Sequence, residues 1–386
     1  MTTSKRTRIP AAVLALGTSA AVLAGCSTGN AVDASDTAGP RLTASYDGGI
    51  MVLDADTLEV VDTVENIDGF VRLNPAGDGR HVLVSTGSSF TALDTAEAEL
   101  TDVSFSAEKP GHVVRHDGKT VLFDDGTGSI RVFDPTTLSE GMPETEEHST
   151  EEAHHGVAVE LSDGTLLTTL GNEEERQGVV VLDEHGHETA RSEECHGVHG
   201  EATAARETVV FGCENGVLVV TDGLITKIPA ADPYGRIGNL AGDEESAIVL
   251  GDYKTDPDAE LERPGRVSLI DTEKHEISLV DLGTSYSFRS LGRGPTGEAI
   301  VLGTDGELHV IDPETKTVTR TVPVISPWSE PETWQSPRPT LFVQGATAYV
   351  TDPETKAIYA VNLDAGRVTS KATLPETPNE LTGVTG

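Results

Sequence analysis

The chain has 386 residues, with 64 Asp and Glu against 27 Lys and Arg, and a formal net charge of −37. That charge argues against nucleic acid, whose phosphates it would repel, and against polybasic attachment to anionic lipids. Hydrophobic residues at 37% suffice for a core assembled from many small units, while aromatic residues at 4% are few.

The N-terminus reads as an export signal. Lys5, Arg6 and Arg8 precede an apolar run, Ala11 to Leu23, too short to span a bilayer as a helix. The run ends in Leu23, Ala24, Gly25 and Cys26, which resembles the lipobox of bacterial lipoproteins. Residues 1–25 are therefore expected to be a lipoprotein signal peptide. Cys26 would carry the lipid and begin the mature chain, extracytoplasmic and anchored to the cell membrane. An ordinary secretory signal with a chance cysteine is the alternative. Residues 26–40, rich in Ser, Thr, Gly, Ala and Asp, show no periodicity and read as a flexible tether.

From residue 41 onward one pattern recurs. A small residue opens a run of alternating apolar residues that closes on Asp, a turn follows, and another β-rich run begins. It stands at Gly49–Asp54, Ser89–Asp94, Ser129–Asp134, Gly178–Asp183, Gly216–Thr221, Arg266–Asp271, Glu307–Asp312 and Ala357–Asn362. Period-two alternation reads as strand, and the spacing of about 38 to 50 residues is that of a four-stranded propeller blade. An all-β fold is predicted over 41–386, a β-propeller of eight four-stranded blades. A count of seven competes, because the last repeat is irregular between Pro323 and Pro339. Strands are labelled A to D from the channel outward. Arg41–Tyr46 looks like strand B of blade 1, and residues 380–386 hold a lone strand A. Their pairing would close the ring and remove its open edges.

Nine of the twelve histidines lie between His112 and His199. His112, His155 and His199 each stand just before, or at the start of, strand A in three consecutive repeats. Strand A lines the channel and strand B returns to the same mouth, so starts of A and ends of B meet there. Blade 3 contributes His112 with Asp124 and Asp125. Blade 4 contributes His154 and His155, with Asn172 and Glu173 after its strand B. Blade 5 contributes His196, His199 and Glu201, with Cys213 and Glu214. Three imidazoles and a carboxylate suit tetrahedral Zn²⁺, with copper(II) and nickel(II) as competitors for the same donors. His112, His155 and His199 are the leading ligands, with Asp124 or Asp125 fourth and His154 as a substitute for His155. His116, His196 and Glu201 are weaker candidates. His148, His185 and His187 read as solvated.

The acidic runs at Glu144–Glu152, Asn172–Arg176, Glu193–Glu194 and Asp256–Glu260 are assigned to the same mouth, where they would concentrate cations. Arg72, Arg289 and Arg338 occupy similar A-strand positions in other blades, paired within the channel or binding an anion. Cys195 and Cys213 remain after Cys26 is lipidated. A disulfide fits an exported protein, and thiolate metal ligands are the alternative.

At the segments His112–Gly118, Phe123–Gly128, His154–Val159, Cys195–Ala202 and Phe211–Gly216, the sequence resembles the AztD-type periplasmic zinc metallochaperones. The resemblance implies a β-propeller that binds zinc through histidines and a carboxylate. It also implies delivery to the substrate-binding protein of a zinc ABC transporter. By the same resemblance His112, His155, His199 and Asp124 or Asp125 are the ligands, and Cys195–Cys213 a disulfide. Members can carry a His-rich N-terminal segment linked to a second zinc site. No histidine follows Cys26 here before His81, unless the acidic loop bearing His148 takes that part. The expectation is a monomeric metallochaperone, not an enzyme. Two alternatives stand beside it. One is a metal-dependent propeller hydrolase with Glu201 or Glu214 as base, and the other is an adhesive propeller that binds no metal.

Overall fold

The computed structural model describes residues 39–386. The segments expected to be a signal peptide, a lipidation site at Cys26 and all but the end of a tether lie outside the described residues. Within them the chain forms eight antiparallel sheets, each built on four strands, arranged as a β-propeller. The eight predicted third strands are all third strands, and the seven-blade count is set aside. Leu381–Val384 is strand A of blade 1 and pairs antiparallel with Arg41–Tyr46, closing the ring.

The repeated aspartate has a local cause. It ends strand C and its side chain accepts backbone N–H groups of the turn that follows, an Asx-type cap. Asp54 accepts from Asp56 and Thr57, Asp183 from His185 and His187, and Asp312 from Glu314 and Thr315. Asp94, Asp134 and Asp271 do the same in their blades. The apolar faces of the strands pack between neighbouring blades. The largest such cluster joins blades 3, 4 and 5 through Val114, Phe123, Val159, Leu167, Val179 and Phe211. These three blades carry the histidine-bearing strand starts, so the site rests on the most extensive part of the core.

Cys195 and Cys213 form a disulfide across 18 residues, fully buried in that cluster. Cys195 lies in the loop that leads to strand A of blade 5, and Cys213 ends strand B of the same blade. The bond therefore fastens the loop that delivers His199, and the thiolate-ligand alternative is set aside. Blade 8 keeps four strands, and the irregular stretch before it is a long connection from Val324 to Thr340 that reaches the channel mouth.

Candidate metal centre

His112, His155 and His199 converge. One ring nitrogen from each lies within 4.8 Å of the other two, and the ring centroids are 5.1, 5.6 and 5.0 Å apart. Two β-bulges aim the rings. The register of blade 3 shifts between Pro110 and Val113, around His112, and that of blade 5 shifts between His199 and Glu201. A bulge redirects a side chain that regular pleating would send elsewhere. Gly200 makes the second bulge possible. Its φ is +70°, and a Cβ there would stand 2.5 Å from the Gly238 carbonyl oxygen.

Two of the imidazoles are oriented from behind. His199 Nδ1 donates to the Gly238 carbonyl at 2.7 Å, and His155 Nδ1 donates to the Asp125 carboxylate at 2.5 Å. Neither acceptor can donate, so each ring carries its proton on Nδ1 and keeps the Nε2 lone pair for a ligand bond. Asp125 also accepts the Gly156 N–H at 3.3 Å, which ties the B–C loop of blade 3 to the start of blade 4. Among the described residues His112 has no such anchor, and the Glu201 carboxylate lies 3.8 Å from its Nδ1.

The electrostatics favour the neutral form of His112 and His199, the form that binds metal. Burial, followed by repulsion from His155 and Arg72, pulls His112 down to about 3. Burial and the neighbouring His112 place His199 well below its usual value. Burial alone pushes Glu201 up to about 8.

The other expected site residues lie elsewhere. Asp124 turns away from the triad. Its carboxylate accepts from the backbone of Glu108, Lys109 and Gly126 and from the Thr127 hydroxyl, so it is a turn-capping residue. His154 is buried with both nitrogens engaged, by the Glu152 carbonyl and the Thr169 hydroxyl. His116 sits at the far end of its strand, between Glu207 and Glu244. His196 is exposed in its loop and stands outside the group of mutually close donors. Asp125 is in contact with the site, behind His155, and Glu201 flanks His112. Arg289 pairs with Glu380 and Asn379, and Arg338 with Glu330, within the channel.

The mouth departs most from expectation. A cavity of about 480 Å³ opens above His155 and His199 and is lined by Arg72, Arg236, Lys254, Phe70, Phe288 and Trp334, among others. In a chain of net charge −37, the rim of the channel is cationic. The run Glu144–Glu152 is only partly at this end, because it lies along strand D of blade 3 and Glu146 is in register with Val132, toward the opposite face. Trp334 is 47% exposed, stacks edge-on with Phe70 at 5.0 Å and lies under Arg72 at 5.5 Å. Below the imidazoles a second chamber of about 320 Å³ is lined by His112, His199, Glu201 and Arg289. Sequence reasoning missed Gly238, Arg236, Lys254 and Trp334. For Gly238 a signal existed, since it precedes strand A of blade 6, the repeat position that holds histidine in blades 3 to 5.

Fold and site together define an eight-bladed β-propeller with an imidazole triad, suited to a transition metal, at one mouth of its channel. The chain is similar to the zinc chaperone AztD of Citrobacter koseri, with 27% identity over 305 residues, 76% of this chain and 70% of that protein. A crystal structure of Citrobacter koseri AztD and a structure of its apo form each superpose with a TM-score of 0.78, at 24% and 25% identity. They cover 90% of this chain and 98% and 99% of theirs. No family model matches.

Proposed function

We propose that the chain is an extracytoplasmic zinc metallochaperone that hands its cargo to the solute-binding protein of a zinc ABC transporter. The observation that carries this reading is the pair of pinned rings. His155 and His199 have their Nδ1 protons committed and their Nε2 lone pairs free, beside His112, under a cavity open to the outside. The donor set fits zinc, which takes neutral imidazole nitrogens. The similarity to a protein named a zinc chaperone supports the same cargo.

His112, His155 and His199 would hold the zinc, with Asp125 setting the His155 ring and Glu201 available beside His112. Transfer proceeds by ligand exchange. The acceptor docks on the cationic and aromatic rim, offers its own donors through the mouth, and takes over as His155 lets go. His155 is suited to release first, since its side chain is 40% exposed against 18% for His112. The buried disulfide suits an oxidising compartment outside the cytoplasm. Cys26 would tether a monomeric propeller to the membrane near the transporter.

A metal-dependent hydrolase is the second reading, favoured by one observation. Glu201 lies 3.8 Å from His112, and burial raises its carboxyl to about 8, a setting suited to a general base. A transfer assay separates the two. Zinc-loaded protein is mixed with the apo solute-binding protein in the presence of a chelator. Transfer faster than spontaneous dissociation, abolished by His199→Ala, is expected. Release at the dissociation rate alone overturns the chaperone, and lactone hydrolysis lost in Glu201→Gln establishes the enzyme.

A further inference from the structure

Two cations are set against each other at the mouth. Arg236 and Lys254 exchange both backbone hydrogen bonds of an isolated antiparallel bridge, each at 2.9 Å. Residues paired in this way carry their side chains on the same face, and like charges directly opposite are destabilising. Both line the cavity above His155 and His199. Arg72, which opens strand A of blade 2, lines the same cavity from the opposite side of the ring.

The compensation found deeper in the channel is missing here. Arg289 is paired with Glu380 and Arg338 with Glu330. The Arg72 guanidinium lies over the Trp334 ring and has no hydrogen-bond or carboxylate partner among the described residues. Lys254 has no carboxylate within ion-pair distance among them either. Arg236 reaches Glu214 at 3.6 Å, and Glu214 does not line the cavity. The carboxylate that does, Asp125, is already engaged by His155 Nδ1 and the Gly156 N–H. In a chain with 64 acidic residues, composition alone would not gather three cations round one carboxylate. A dication seated on neutral imidazoles adds to this charge, and a charge in a partly closed site needs a counter-charge. Zinc also takes four ligands, of which the triad supplies three.

We propose that the mouth binds a small organic dicarboxylate together with the metal. One carboxylate completes the coordination of zinc held by His112, His155 and His199, and the other is held by Arg72, Arg236 and Lys254. Arginine takes a carboxylate through paired, charge-assisted hydrogen bonds. Phe70, Phe288 and Trp334 enclose the carbon skeleton, and a cavity of about 480 Å³ is of small-molecule size. The inference rests on the reading of the triad as a zinc site. It adds that cargo and anion bind together, and that the acceptor's own donors displace the anion at hand-over.

Succinate is the probe, since it competes only weakly for zinc in water. Isothermal titration of the zinc-loaded chain at constant ionic strength, with no acceptor present, is expected to show one equivalent of succinate. Succinate is also expected to raise zinc affinity against a chromogenic chelator, the reverse of what chelation in solution does. By linkage, zinc raises the affinity for succinate by the same factor. Arg72→Gln/Lys254→Gln is expected to keep its zinc equivalent and to bind succinate at least about tenfold more weakly, having lost two charge-assisted contacts. One bound zinc with no effect of succinate overturns this inference and leaves the chaperone reading standing, whereas no bound zinc overturns both. Phosphate as effective as succinate, or a double variant that binds succinate like the wild type, also overturns the dicarboxylate site.

Discussion

His155 and Asp125 belong to different blades, and the 2.5 Å bond between the Nδ1 of one and the carboxylate of the other fixes a ring across a blade boundary. An oriented, more basic imidazole is worth about 10- to 100-fold in metal affinity. Asp125→Ala is therefore expected to weaken zinc binding by about that factor with the fold intact. Asp125→Asn keeps a neutral acceptor and loses less. Competition against a chromogenic chelator measures both, and wild-type affinity in Asp125→Ala would refute the role.

The adjacent aspartate predicts the opposite phenotype. Asp124 caps the backbone N–H groups of Glu108 and Lys109 at 2.9 and 2.8 Å. Leaving a buried donor unsatisfied costs about 1–3 kcal/mol. Asp124→Ala is expected to lower the midpoint of denaturant unfolding while zinc stoichiometry stays the same. Loss of zinc with unchanged stability would reverse the assignments of the two residues.

The disulfide spans 18 residues in the blade that presents His199. Loops of that size contribute about 3 kcal/mol in the chain-entropy account. The Cys195→Ser/Cys213→Ser variant is expected to melt earlier and to bind zinc more weakly, since the loop leading to His199 loses its anchor. Thermal melts and zinc competition on this variant check both effects. Weakened stability with undiminished affinity would show that the strand alone positions the ring.

Acid should destabilise the ring through its turns. The hydrogen bonds they accept hold the carboxyls of Asp54, Asp134, Asp183 and Asp312 below the usual range. Burial pushes Asp94 and Asp271 up, but hydrogen bonds from Arg80, Lys274 and the turn backbone outweigh it. A folded value below the unfolded one means stability fully present above the unfolded value, near 3.9 for Asp, and lost as pH falls through the folded value. The melting temperature is expected to drop below about pH 4. Relief of charge repulsion toward the isoelectric point acts in the other direction. A melting temperature that holds or rises from about pH 4 to pH 3, below the isoelectric point near 4.5 where that relief has ended, would show that the turn carboxyls contribute nothing.

The rim should govern the rate of transfer and leave affinity alone. Exposed Trp334 and cationic Lys254 line the mouth and do not belong to the imidazole triad. Aromatic and cationic groups of this kind dominate interface energetics and electrostatic steering. Trp334→Ala and Lys254→Glu are expected to slow zinc transfer in stopped-flow mixing with zinc affinity unchanged. Added salt should slow the wild type and leave Lys254→Glu less affected. Equal rates in all three proteins would place docking elsewhere.

The blades were legible because their signals are local. Alternating apolar runs, each closing in most repeats on an aspartate that caps its own turn, report strand and turn within a dozen residues. His112, His155 and His199 could be grouped because each recurs at one repeat position, and a ring brings such positions together. Choices between adjacent residues were not legible. Asp124 and Asp125, or His154 and His155, differ by which way the chain turns, and that is decided by tertiary contacts to Lys109, Thr169 and Gly156. The Gly238 carbonyl that holds His199 is a backbone group, legible only through its repeat position before strand A of blade 6. The cationic rim is assembled from Arg72, Arg236 and Lys254 around the aromatic Trp334, which share no sequence window, so average acidity concealed it.

Ring closure gives the order of manufacture a physical meaning. Ser45 exchanges backbone hydrogen bonds with Asn379 and Glu380, so the first blade is finished by a strand synthesised after the other seven blades. An incompletely synthesised chain presents the bare edge of Arg41–Tyr46 until residues 381–384 arrive to cover it. Every imidazole of the triad is by then already made, on blades lacking only their clasp. A chain cut before Leu381 would carry all three ligands on a ring still ajar, with a sticky strand edge left exposed.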